Sequence, residues 1–469
     1  MQVLCFSLLQ FNADAQIAWS LKQCVDTALK NNPTIQQYQN TVSLNVVSLT
    51  QSKNNLLPDL NGNAGESFNS GRTINPVSNQ FSTGNIFSSN FSLGSSVVLF
   101  NGFQNQNMIK QNKLNVQSAK FDLEAIKNDI SLNIVNAYLQ VLFSKELVKV
   151  AVSQQTATQQ QLNKTEVLVS VGKKTESDLL QVKSQLASDR LSLTNANGQL
   201  KTNLLTIQQL MNITVSYDFD IETPLVPEPG LQELSNANET YRLALKIQPV
   251  IQSTILKTQS ALYAVKISKG GYYPKLSLVG NLASNYSGNS KLSTLNYINS
   301  IQPIGYLQSN SGEIVVGNIS TPAYTNRNYP FHKQLKDNFS KTISLSLTIP
   351  IFNNFTVKNN IQRQRINLNN ARLNETIAQN DLRKNIEQAY IDAENSRGKY
   401  NAGNEQLAAV YASFQNSNVK YDNGLMTASD FLVEKNKYIK AQSDNIQAKF
   451  ELIFRLKIIE YYKGTLLNF

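Results

Sequence analysis

The sequence predicts a mostly α-helical chain with a small β part, written as two tandem copies of one unit: two strands and a long helical hairpin. Three observations carry that prediction. Residues 99–178 match residues 351–430 without a gap, at a constant offset of 252 and about a quarter identity. Two long segments are free of proline and repeat apolar residues at helical spacing. Four segments of about ten residues alternate apolar with polar side chains.

Composition narrows the function. The 469 residues carry 43 Lys and Arg against 32 Asp and Glu, a net charge of +11, with 16% charged and 41% hydrophobic residues. A disordered chain would be poorer in apolar residues and richer in charge. No run of about 20 apolar residues occurs, which excludes a helical transporter. His332 is the one histidine, and Cys5 and Cys24 are the two cysteines. Zinc sites of the Cys/His kinds and disulfide frameworks are thereby excluded by counting. Glycine-rich phosphate loops are absent, as are basic clusters with interleaved aromatics. No enzyme activity, metal, cofactor or nucleic-acid partner is therefore expected. The net charge of +11 bears on solubility and on the protein's electrostatic field.

The elements follow in order. Residues 1–15 carry an apolar run from Val3 to Leu9, and Ala13-Asp14-Ala15 offers small residues around a cleavage point. This reads as a signal peptide truncated at its start. The first copy spans 16–211: helices over 17–57, strands near 58–68 and 90–100, and a long hairpin over 103–211. Residues 212–238, with Pro224, Pro227 and Pro229, form a linker. The second copy spans 239–463: helices over 239–271, strands near 275–286 and 341–350, and a hairpin over 353–462. Ala28, Leu29 and Pro33 match Ala244, Leu245 and Pro249 at an offset of 216. The change of offset from 216 to 252 places a 36-residue insertion in the second copy. The Asn-, Ser-, Gly- and Pro-rich stretch 287–340 holds it and reads as a loop.

Periodicity supports each assignment. Ile126, Ile130, Ile134, Ala137, Val141 and Val148 form one helical face, and Leu432, Ile439, Ile446 and Ile453 recur every seventh residue. From Phe103 to Val169 a continuous helix would reach roughly 100 Å. Ile343, Leu345, Leu347 and Ile349 alternate with Ser344, Ser346 and Thr348. Phe91, Leu93, Val97 and Leu99 alternate with Ser92, Gly94, Ser96 and Val98. This is the dyad pattern of membrane β-barrel strands, and equally that of a sheet with one wet face. Four strands cannot close a barrel, and an open edge cannot sit in lipid. Either the sheet is soluble or several chains pool their strands.

Taken together, these motifs resemble the TolC-like outer membrane factor family, the outer membrane efflux proteins. Leu57-Pro58-Asp59-Leu60 and Tyr273-Pro274-Lys275-Leu276 match the family's helix-to-strand junctions. Leu99 to Phe103 and Ile351 to Phe355 match its strand-to-helix junctions. Gly172 to Leu180 and Gly424 to Leu432 match its hairpin tips. The resemblance covers about 17–463 and implies a homotrimer whose strands make a 12-stranded outer-membrane β-barrel, continued by a long α-helical periplasmic barrel. It implies loops at 69–90 and 287–340 outside the cell. The implied function is a passive exit duct for efflux or type I secretion, working with a periplasmic adaptor and an inner-membrane pump. A periplasmic coiled-coil scaffold or adaptor without its own channel is the competing reading.

The resemblance also assigns residues. Val171, Gly172, Lys173, Lys174 and Thr175, with Gly424, Leu425, Met426 and Thr427, would meet the adaptor. The same glycines are required by any tight helix reversal. Asp430, Glu434 and Asp178 would ring the periplasmic aperture, although Thr175 or Ser177 capping a helix start explains the aspartates as well. Phe100, Phe103, Pro350, Phe352 and Phe355 would flank the barrel–tunnel junction, as lipid anchors or as packing at the bend. His332 reads as a surface histidine.

Overall fold

A computed structural model describes residues 18–74, 79–224, 236–306 and 314–465. The expected signal peptide, Pro227 and Pro229 lie outside these residues. Two compact units emerge: one from Met1–Leu49, Gln111–Leu262 and Arg365–Phe469, the other from Thr50–Lys110 and Tyr263–Gln364.

Helices dominate the first unit. Ser20 caps α1 (Leu21–Asn31) through a reciprocal box with Gln23. Pro33 then opens α2 (Pro33–Asn54), where its missing N–H costs nothing. α3 (Gln104–Ser170) and α4 (Glu176–Leu210) form the first hairpin. The second copy supplies α5 (Ala237–Ile247), α6 (Pro249–Gly270), α8 (Thr356–Asp422) and α9 (Ala428–Tyr462). Bounds of the paired helices differ by 216 or 252 residues, the two offsets of the sequence, and α3 and α8 are each 67 residues long. The core gathers Ile134, Tyr138 and Leu142 of α3 with Cys24, Ala28, Ile207 and Ile453. Tyr138 donates to the carbonyl of Glu222 at 2.8 Å, and Lys145 pairs with Asp220 at 2.7 Å. Trp19 bridges Ile221 in parallel, so the segment after 211 is fastened to the chain start. Burial pushes the Cys24 thiol up to about 12, which makes it an inert core group.

The second unit holds an antiparallel sheet of β1 (Asn61–Ile74), β2 (Phe81–Asn101), β3 (Lys275–Ser287) and β6 (Ser340–Thr348), in the order β1-β2-β3-β6. Opposed residues share a face. Leu93 faces Leu282, Val97 faces Leu278, and Leu278 faces Leu345, giving one apolar face. Asn90 faces Asn285 and Ser277 faces Ser346, giving one polar face. A bulge at Leu99 brings Phe100, not Leu99, opposite Leu276.

Two expectations need correcting. β1 and β2 continue to Ile74 and from Phe81, so most of 69–90 is strand rather than loop. The described part of 287–340 also holds regular structure: β4 (Lys291–Tyr306) pairs with β5 (Ile314–Asn328), and α7 (Phe331–Asp337) follows. Neither strand is paired with the four-stranded sheet. No described helix is long and apolar enough to cross a membrane.

Candidate functional site

The two hairpin turns are built alike. Gly172 and Gly424 both take φ +75°, the left-handed region that lets a helix reverse without a Cβ clash. Lys173 N–H returns to the Leu168 carbonyl at 2.8 Å, and Leu425 N–H to the Lys420 carbonyl at 2.8 Å. Thr175 and Thr427 cap the following helices, each accepting from the backbone N–H three residues on at 3.1 Å. Each threonine hydroxyl in turn donates to the aspartate at that third position, Asp178 or Asp430, at 2.8 Å. Thr175, not Ser177, is therefore the cap. The backbone N–H of Thr175 holds the Asp178 carboxyl below the usual carboxylate range, helped by Thr175's hydroxyl and Lys174.

Apolar side chains crown the turns. Val171 is 60% exposed and Leu425 78% exposed. Lys173 is also exposed. Met426 instead packs on Tyr421, Ala428 and Phe431. The turns touch: the Lys174 ammonium sits 4.0 Å over the Tyr421 ring, and Lys164 pairs with Asp422 at 2.7 Å. Asp430 is exposed. Glu434 accepts from Ser413 at 3.1 Å and pairs with Lys437 at 2.7 Å; these contacts keep its carboxyl below the usual range.

Sequence reasoning missed a buried polar contact behind the turns. The Lys435 ammonium donates to Thr158 at 2.6 Å, and Thr158 donates to Asp189. Gln185 donates to the other Asp189 oxygen at 2.8 Å. Lys435 and Asp189 are 5% and 4% exposed. Burial lowers the Lys435 pKa, and Asp189 opposes that shift. The readable signal was phase. Leu179, Val182, Leu186 and Asp189 share one heptad seam, as do Ala428, Phe431, Lys435 and Tyr438. A charge at a core phase is worth noticing.

At the strand–helix junctions Phe100 meets Phe103 edge-on at 5.3 Å, and Phe352 meets Phe355 edge-on at 5.6 Å. Phe103 and Phe355 are both left-handed, at φ +62° and +59°. Phe352 is 71% exposed. β6 ends two residues before Pro350, which has no N–H for a ladder.

The family pattern of the outer membrane efflux proteins matches residues 24–212 and 240–453. The chain belongs to that family. It is 20% identical to the outer membrane efflux protein BepC of Brucella suis, over 94% of this chain and 84% of BepC. Solved outer-membrane proteins share the fold. VceC of Vibrio cholerae superimposes with a TM-score of 0.74 at 13% identity, covering 96% of this chain and 97% of VceC. CmeC of Campylobacter jejuni does so with 0.72 at 18%, covering 95% of this chain and 85% of CmeC. The family is one of channels rather than enzymes. This efflux protein is accordingly an outer-membrane exit duct.

Proposed function

We propose that three copies of the chain form the duct, each giving four strands to a 12-stranded barrel and two long hairpins to an α-helical barrel in the periplasm. The observation that carries this is the sheet β1-β2-β3-β6: its apolar face suits lipid, while β1 and β6 end it as edges that no membrane tolerates. Pairing the β6 edge of one chain with the β1 edge of the next removes both. The common offsets of helix bounds and sequence support a duplicated unit, with the linker 212–238 between the copies.

The exposed turns around Val171 and Leu425 receive the tip of a periplasmic adaptor, which joins the duct to an inner-membrane pump. Asp430, with Asp178 and Glu434, contributes acidic charge where the hairpins narrow the mouth. The duct performs no chemistry; the pump supplies the energy. Drugs, metal ions and polypeptides all fit such a path.

Cysteine pairs test the assembly. Cysteines placed along β1 at 61–69 against Ser344→Cys on β6 should cross-link between chains, up to a trimer in detergent. A monomer that stays in water without detergent overturns the proposal.

A further inference from the structure

Charge is unevenly shared along the chain. The β unit, 50–110 with 263–364, holds thirteen Lys and Arg against four Asp and Glu, so it carries nine of the eleven net positive charges. Several of these cluster beside α7. His332, Lys333 and Lys336 stand exposed on that helix. Lys341 follows on β6, opposite Leu282 and therefore on the sheet's apolar face. Asp337, the one acid nearby in sequence, already accepts from the Tyr329 hydroxyl at 2.6 Å.

The helix is anchored on that same face. Phe331 packs edge-on against Phe91 at 6.2 Å and Tyr286 at 5.0 Å. The Gln334 side chain accepts from the Ser287 N–H and donates to the Ser287 carbonyl, both at 3.0 Å, as a neighbouring strand would. Phe339, half exposed, then hangs over a groove of about 490 Å³ walled mainly by Phe91, Leu93 and Leu282. The Lys341 ammonium lies 5.4 Å above the Phe339 ring. An apolar groove thus lies on a lipid-compatible face beside the Lys341 ammonium, and the helix packed on that face carries Lys333 and Lys336 exposed.

We propose that this collar binds a phosphate-bearing glycolipid of the outer leaflet, of the lipid A type. Its phosphates lie on Lys333, Lys336 and Lys341, and one acyl chain lies along the Phe339 groove. The charge complementarity is direct: a surface rich in phosphate meets three ammonium groups, of Lys333, Lys336 and Lys341, against the one carboxylate of Asp337 on and beside the helix. The inference rests on reading the sheet as an outer-membrane barrel wall with α7 at its outer end.

Native mass spectrometry of the full-length protein in detergent, titrated with lipid A, tests it. The triple substitution Lys333→Gln, Lys336→Gln, Lys341→Gln should weaken lipid A binding roughly a hundredfold, from about fivefold per surface lysine. Phe339→Ala should weaken it without changing charge, and inorganic phosphate should not displace the lipid. Equal lipid A binding by wild type and triple variant overturns the collar, as does displacement by inorganic phosphate or tighter binding of phosphatidylglycerol. The spectra also report oligomer mass. A detergent-dependent trimer indifferent to the three lysines refutes the collar alone, whereas a water-soluble monomer refutes the barrel as well.

Discussion

A methyl group added at Gly102 would lie 2.3 Å from the Gly270 carbonyl oxygen, and the residue already sits at φ +65°. Its counterpart in the second copy, Asn354, takes φ +50°, a conformation asparagine tolerates. Gly102→Ala should therefore destabilise the protein by about 2 kcal/mol or more, from overpacking plus left-handed strain. Asn354→Gly should stay within about 0.5 kcal/mol. Thermal unfolding in detergent compares them, and equal losses would refute the distinction. Asp178 makes a second residue-scale case. Its folded pKa lies below the unfolded value, so its stabilising contribution is complete above about pH 4 and fades as pH falls through the lowered value. Amide exchange at the start of α4 should stay protected down to that range and then rise. Protection that survives full protonation would contradict the capping account.

At the scale of elements, the two hairpins solve one packing problem differently. In the first, Leu162, Leu179, Val182 and Leu186 form an aliphatic seam. In the second, Tyr421 stacks on Phe431 at 4.6 Å, and Phe414 stacks on Tyr438 at 5.2 Å. Lys435 of α9 crosses between them to Thr158 and Asp189, tying the second hairpin to α3 and α4. Lys435→Met strands the buried Asp189 charge and should cost about 3–5 kcal/mol, while adding Asp189→Leu should restore most of it. A double variant no more stable than the single would refute the coupling. Among the described residues the hairpin β4–β5 makes no ladder with the four-stranded sheet, so deleting 291–328 should leave oligomer mass and unfolding temperature nearly unchanged. These elements also mark what the sequence makes legible. The long helices, their turns and the four alternating strands were readable because one buried face imposes a period. The β4–β5 pair was not. Ile298, Ile301 and Tyr297 are all exposed, so no core enforces alternation, and Pro303 and Pro322 argue against strand. The Lys435 contact escaped because it joins residues 277 apart, a proximity only the fold creates.

At the scale of the whole molecule, the edges and the turns pose one problem. In the proposed trimer the open sheet edges pair between chains, and side chains at the same position of each chain would face one another, so one carboxylate per chain would become a ring. Asp430 is the best placed: exposed, at the first turn of α9, and accepting from the Thr427 hydroxyl. Glu434 is less free, because Ser413 and Lys437 hold it. A ring of like charges costs energy that only cations or opening relieve. Asp430→Ala should therefore lower cation selectivity of the closed duct and raise its single-channel conductance, whereas Glu434→Ala should change both less. Planar-bilayer recordings separate the two. Unchanged conductance and selectivity in Asp430→Ala would leave that aspartate as a helix cap alone.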